Sequence, residues 1–248
     1  MSQVRNIARS GEQGLVPSFF EHNPQLPVFR RAFVEAVGTA FLVVAMVGSG
    51  IAASKHVPAE SLAASLLVAV SIAGALVGLI VALGKVSGGH FNPLITLAQW
   101  LNGERGIACT VAYIVGQTIG GTLGALLAAA MFGCLLRTDL IAAPSIGDLL
   151  SEIVAAAGLM TIVLGCARST KWDTGPFAVG AWLVAAIIAT PSTSYANPAV
   201  TLAAIFAPGL AGLSPMTAAA FILAQIVGMF IAMAINKIAF AADTPVTG

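Results

Sequence analysis

Two short stretches of this chain carry polar groups in otherwise apolar surroundings: GGHFNPLITL, Gly88 to Leu97, and TSYANPAVTL, Thr193 to Leu202. Each holds an Asn-Pro pair and ends in Thr-Leu; Asn92-Pro93 is followed by Leu94, and Asn197-Pro198 by Ala199. Asn is among the best N-caps and Pro suits the first helical position, so both pairs read as helix starts. The apolar runs they open, 92–101 and 197–207, rise only about 15 Å, half of a bilayer core of about 30 Å. Entering from opposite sides, two such half-helices make one further crossing and hold Asn92 and Asn197 side by side at mid-membrane. Each Asn oxygen then accepts from its own half-helix, which leaves the amide N–H groups to donate to a solute. The preceding loops, KVSGGHF and TPSTSYA, supply carbonyl acceptors. Irregular backbone at that depth is tolerated only inside protein or along a water-filled cavity. Such a path suits small neutral solutes that form hydrogen bonds, and two positive helix ends oppose cations.

The elements that must position these groups follow from composition. Of 248 residues 58% are hydrophobic and 8% charged, and mean hydropathy is +0.96. A soluble domain carries about 25% charged residues, so the chain reads as an all-α membrane protein. Six segments approach spanning length: 30–54, 62–84, 106–133, 149–168, 174–190 and 214–240. The fifth is the weakest and is expected to begin earlier. A formal net charge of +1 gives no case for nucleic acid. Cys109, Cys134 and Cys166 are isolated and read as small buried hydrophobes, with no metal or cofactor implied.

Three spans per half is an odd number, so the second half must lie inverted relative to the first. The halves match in further features. Glu35 opens the first span and Glu152 the fourth. Aligning Gln117 with Gln225 lays Gly116, Gly120 and Gly124 over Ala224, Gly228 and Ala232, two stripes of small residues that let helices approach closely. With the N-terminus inside, nine of the 11 Lys and Arg are cytoplasmic and only Lys55 and Arg137 are outside, a strong positive-inside bias. The expected organisation is a cytoplasmic tail at 1–29, a channel domain at 30–240 (repeats about 30–133 and 149–240) and a short tail at 241–248. Both termini then face the cytoplasm of the inner membrane, and inverted repeats place function at their midplane interface.

SGGHFNPLITL resembles the first signature of the aquaporins, or major intrinsic proteins, and NPAVTL is similar to the second. The resemblance covers 30–240 and includes the Glu and Gln pairs. It implies six transmembrane helices plus two re-entrant half-helices in a 3+3 inverted repeat, assembled as a homotetramer with one pore per subunit. It also implies that Glu35 and Glu152 hold the re-entrant loops, with Gln117, Gln225 and His90 as further support. Tyr195 is expected in the outer vestibule or beneath it.

The chain departs from the family where most members carry Arg after the second Asn-Pro-Ala; here Val200 follows. That Arg belongs to a four-residue outer constriction, and an ungapped carry-over gives Ile72, Ala185, Ser194 and Val200. None is charged. Losing a guanidinium removes a fixed charge and several donors. The resemblance then implies a passive channel for water and small neutral solutes, extending to glycerol-like molecules or neutral metalloid hydroxides such as arsenious acid. Leu94, in place of the usual Ala, is expected to pack between the half-helices. No catalytic arrangement, phosphate loop or metal cluster argues for an enzyme. The rival classes are an ion- or proton-coupled secondary transporter, for which an intramembrane Glu is the natural relay, and a closed-pore scaffold.

Overall fold

The computed structural model of the chain describes residues 25–58, 61–134, 143–168 and 174–240. The tails at 1–24 and 241–248, and with them Arg5, Arg9, Arg137 and Lys171, lie outside the described residues. Among the described residues, five helices are long and apolar enough to cross a membrane: α1 (Val28–His56), α2 (Leu62–Ser87), α4 (Ile107–Met131), α5 (Ile146–Cys166) and α8 (Pro215–Ala239). Between them lie α3 (Pro93–Leu101), α6 (Gly175–Ala189) and α7 (Pro198–Ala203). The described part of α6 has 15 residues and rises about 22 Å, so any earlier start falls on 169–173, outside the described residues. The expected half-helices are present as α3, with 9 residues, and α7, with 6 residues, continued by a 3₁₀ turn at Ala204–Phe206.

Helix starts follow local chemistry. The Ser61 hydroxyl accepts from the Ala64 amide at 3.2 Å ahead of α2. Ser145 and Asp148 form a reciprocal capping box ahead of α5, and at the start of α8 the Ser214 hydroxyl accepts from the Thr217 amide, with Pro215 at the first helical position. These contacts satisfy amides that a helix leaves without an internal partner.

Packing joins α1 to α4 and α5 to α8. Gly120 and Gly124 sit directly on the carbonyls of Ala36 and Ala40, and Gly116 faces that of Ala32. Gly228 of α8 meets the backbone of α5 at Ile153 and Ala157, with Ala224 and Ala232 buried on the same face. The two stripes expected from the sequence are therefore contact surfaces. Without a hydrophobic drive between helices in lipid, close backbone approach is what holds them together. Large side chains such as Val70, Leu123, Leu150 and Leu223 point outward, as a lipid-facing surface requires. Alternation of the spans puts Arg30, Arg31, Lys85, Arg105, Arg168 and Lys237 at one end and Lys55 at the other.

Candidate functional site

Three residues in each re-entrant loop adopt left-handed backbone, at equivalent places. Gly88, Gly89 and Phe91 have φ of 94°, 61° and 46°, while Thr193, Ser194 and Ala196 have 60°, 55° and 45°. Glycine accepts this conformation freely, whereas for a β-branched residue it is strained. Something other than residue preference must hold the second loop.

A carboxylate does so in both loops. Glu35 Oε1 accepts from the Ser87 hydroxyl at 2.6 Å and the His90 amide at 3.0 Å. Its Oε2 accepts from the Phe91 amide at 2.6 Å and Gln117 Nε2 at 2.8 Å. Glu152 repeats the pattern: Oε1 takes Ser192 Oγ at 2.6 Å and the Tyr195 amide at 3.0 Å. Oε2 takes the Ala196 amide at 2.9 Å and Gln225 Nε2 at 2.6 Å. Each Gln also donates to a half-helix threonine, Thr96 at 3.1 Å and Thr201 at 2.8 Å. Both carboxylates have no exposed surface. Four donors into two oxygens on each side fix the loops from behind, on the face away from the cavity.

Between the half-helices the two Asn side chains act as expected, with one difference. Asn92 Oδ1 accepts from the Leu94 amide at 2.9 Å, and Asn197 Oδ1 from the amides of Ala199 at 3.0 Å and Val200 at 3.4 Å. The amide nitrogens are not wholly free. Asn92 Nδ2 donates to the Ala196 carbonyl at 2.9 Å, and Asn197 Nδ2 to the Phe91 carbonyl at 2.8 Å. Each carboxamide has two N–H groups, so one ties the halves together and one is left for a solute.

A cavity of about 370 Å³ runs past both Asn residues. Its polar side comes from the loops, with His90, Asn92, Ser194, Tyr195 and Asn197; its aliphatic wall comes from α1, α2, α5 and α6. Among the described residues, no Asp, Glu, Lys or Arg lines it. Ser194 Oγ and His90 Nε2 are buried and have no protein hydrogen-bond partner. His90 is held by Nδ1 against Thr96 Oγ1 at 2.9 Å and edge-on to Tyr113 at 5.4 Å between ring centroids, a support position. Tyr195 both lines the cavity and packs beneath the loop, donating to the Ala211 carbonyl at 3.0 Å.

Of the four outer positions, Ile72, Ser194 and Val200 line the cavity and Ala185 does not. Ala185 is exposed, on the opposite face of α6 from the lining residues Val179, Leu183 and Ile187. Those three recur every four residues along the helix, and 185 falls on the far side of that stripe. Ile187, 3% exposed, is the cavity-lining residue of α6 nearest to Ala185 on the side of the second loop. The spacing of Val179, Leu183 and Ile187 was the signal for it. Leu94 is 1% exposed and absent from the lining, so it packs in the core.

Cys109 is more than a buried hydrophobe. Its sulfur accepts from Arg31 Nη2 at 3.3 Å and Arg105 Nη1 at 3.0 Å, and Arg105 lies 4.3 Å from the centroid of the Tyr113 ring. The Tyr113 hydroxyl reaches the Ser87 carbonyl at 2.7 Å, so this cluster braces the base of the first loop.

Comparisons with known proteins agree with this geometry. A family model for the major intrinsic proteins matches residues 23–194. Aquaglyceroporin AqpS of Rhizobium meliloti (strain 1021) is 39% identical over 212 residues, which cover 84% of this chain and 89% of that one. Aquaporin Z of Photorhabdus laumondii is 30% identical over 200 residues, covering 72% and 85%. The X-ray structure of the aquaglyceroporin from Plasmodium falciparum superposes with a TM-score of 0.66 at 15% identity, covering 86% of this chain and 98% of that one, which speaks for the fold.

Proposed function

Because the chain belongs to the major intrinsic protein family, whose members are channels and not enzymes, we propose that it passes neutral solutes through an uncharged, aliphatic outer constriction. It is an integral multi-pass membrane channel for water and small solutes. The finer reading rests on one observation: Ile72, Ile187, Ser194 and Val200 line the cavity without a charge among them. With Val200 in place of the usual Arg, the constriction admits glycerol-like molecules and neutral metalloid hydroxides such as arsenious acid. Exclusion of protons and cations then falls on the half-helix dipoles and on Asn92 and Asn197. The channel domain spans 30–240 as two inverted repeats, with both termini at the cytoplasmic face of the inner membrane and four copies assembled, each with its own pore.

Coupled transport requires a carboxyl group able to exchange protons with the pathway. Glu35 and Glu152 are fully buried, take four hydrogen bonds each and are not among the cavity-lining residues, which supports the passive reading. The test is light scattering from proteoliposomes after osmotic shock, with water, glycerol, urea and arsenious acid in parallel. Val200→Arg is expected to cut the flux of the three solutes about tenfold or more while water still passes. A parent with no flux above empty liposomes, or a folded Val200→Arg with unchanged solute flux, would overturn the reading.

A further inference from the structure

The cavity wall obeys the same two-fold relation as the carboxylate clamps. Leu42 and Met46 of α1 stand where Leu159 and Val163 of α5 stand in the other half, and all four line the cavity. Val200 of the second half-helix corresponds to Ile95 of the first, and Ser194 to Gly89. On α2 and α6 the lining residues share one four-residue spacing, which pairs Ile72 with Val179 and Ile187 with Ile80.

Applied to the outer constriction, this relation generates Val179, Ile80, Gly89 and Ile95 on the far side of the Asn pair. All four line the cavity. Val179, Ile80 and Ile95 are 2%, 5% and 6% exposed, and a Cβ on Gly89 would lie 3.4 Å from Ile80 Cγ2, so the loop and α2 are in contact there. We propose that these residues form a second, inner constriction, and that the two act in series to favour neutral solutes bearing alkyl groups over fully polar ones of similar size. The proposal rests on the reading of the outer constriction given above.

The selectivity follows from what each constriction lacks. The inner one has no side-chain donor or acceptor, and the outer one has only the Ser194 hydroxyl, which no protein group engages. A fully polar solute loses water at both levels, and only the loop carbonyls, the Ser194 hydroxyl and the nearby His90 Nε2 are there to replace it, with nothing polar on the aliphatic side. A methyl group on the solute is instead favoured against Ile and Val, by about fourfold per methyl at an aliphatic wall.

Barriers in series make the second constriction measurable. Ile187→Thr and Ile80→Thr place the same hydroxyl at related positions, each able to bond the carbonyl one turn earlier when no solute is present. One net hydrogen bond is worth about fivefold in rate. If both barriers are equal, lowering one raises urea flux only about 1.7-fold, and lowering both raises it about fivefold. Ile→Val at the same positions has the shape of Thr without the hydroxyl, so it reports what widening alone does to urea flux, which should fall well short of the Thr effect. Proteoliposomes carrying the parent, the Thr variants and the Val variants would be compared for urea, N-methylurea and water, each corrected for empty liposomes.

A fivefold rise from Ile187→Thr alone, with Ile80→Thr silent, would remove the inner constriction and leave the outer one standing. Equal effects of Thr and Val would show size selection and overturn the proposal. A parent passing neither water nor urea nor N-methylurea would overturn the channel reading and this inference with it. Should a Thr variant fail to fold, the parent supplies its own test: protein-dependent N-methylurea permeability is expected to exceed that of urea by about fourfold. Equal or reversed permeabilities would overturn the proposal.

Discussion

Replacing Glu152 by Gln isolates what the carboxylate clamp contributes. The carboxylate oxygens receive four donors, two of them the amides of Tyr195 and Ala196. A Gln at 152 keeps one oxygen and turns the other into an NH₂. If the NH₂ takes the place of Oε2, Gln225 can turn its amide oxygen toward it, since Oε1 has no partner to lose, although the Nε2 bond to Thr201 goes with the turn. The Ala196 amide is then left facing a donor. If the NH₂ takes the place of Oε1, the Tyr195 amide is stranded instead. Either way one buried backbone N–H loses its acceptor, which costs about 1–3 kcal/mol. Glu35→Gln strands the Phe91 or His90 amide by the same reasoning, and Gln117 Oε1 is likewise without a partner. The two variants should therefore lose similar stability, about 2 kcal/mol, or roughly 4–8 °C in Tm for a chain of this size. The assay is thermal unfolding in detergent, followed by osmotic solute flux in liposomes with and without an imposed pH gradient. Passive flux should persist in both variants, reduced in proportion to the folded fraction. Variants as stable as the parent would refute the clamp. So would a parent flux driven by the pH gradient and abolished in well-folded Gln variants, which would make the carboxylates proton relays.

Three other outcomes follow. Gly38→Ala drives a methyl group into the buried Phe91 ring and should destabilise the protein by about 1–3 kcal/mol in the parent but little in a Phe91→Ala background, as a double-mutant cycle of detergent unfolding would report. The other half already has that small-residue arrangement, Ala155 with Ala196; additive effects would deny the contact. Gly120→Val should prevent α1 and α4 from packing, because its side chain falls on the Ala36 carbonyl; retention of a monodisperse peak on size exclusion would count against it. Thr193→Gly removes strain at φ 60° on an exposed residue and should raise Tm by about 2–4 °C, whereas a fall would show that the threonine stabilises the loop.

Much of this site could be read from residue types. Asn92 and Asn197 announced two helix starts, and Glu35, Glu152, Gln117 and Gln225 announced a repeat, because a polar side chain in an apolar span must have a partner. Ala185 failed for a different reason. An ungapped carry-over assumes a fixed loop length between α6 and the second Asn, and the helix instead presents Ile187 to the cavity. Residue counting has no access to that length, whereas the spacing of Val179, Leu183 and Ile187 does. The partial commitment of the Asn amides was hidden because their acceptors, the Phe91 and Ala196 carbonyls, are backbone atoms whose direction depends on left-handed geometry. Nothing in the identity of Ala196 marks it for that conformation.

The clamps also order the birth of the channel. The first needs Glu35 from α1 and Gln117 from α4, so it can close while the second half of the chain is still on the ribosome. The second needs Glu152 from α5 and Gln225 from α8, the last helix to emerge. Without α8, the Glu152 carboxylate lacks the fourth of its donors, Gln225 Nε2, beside those of the loop whose Ala196 carbonyl Asn92 holds. Both clamps together can therefore be complete only once the last helix has been made.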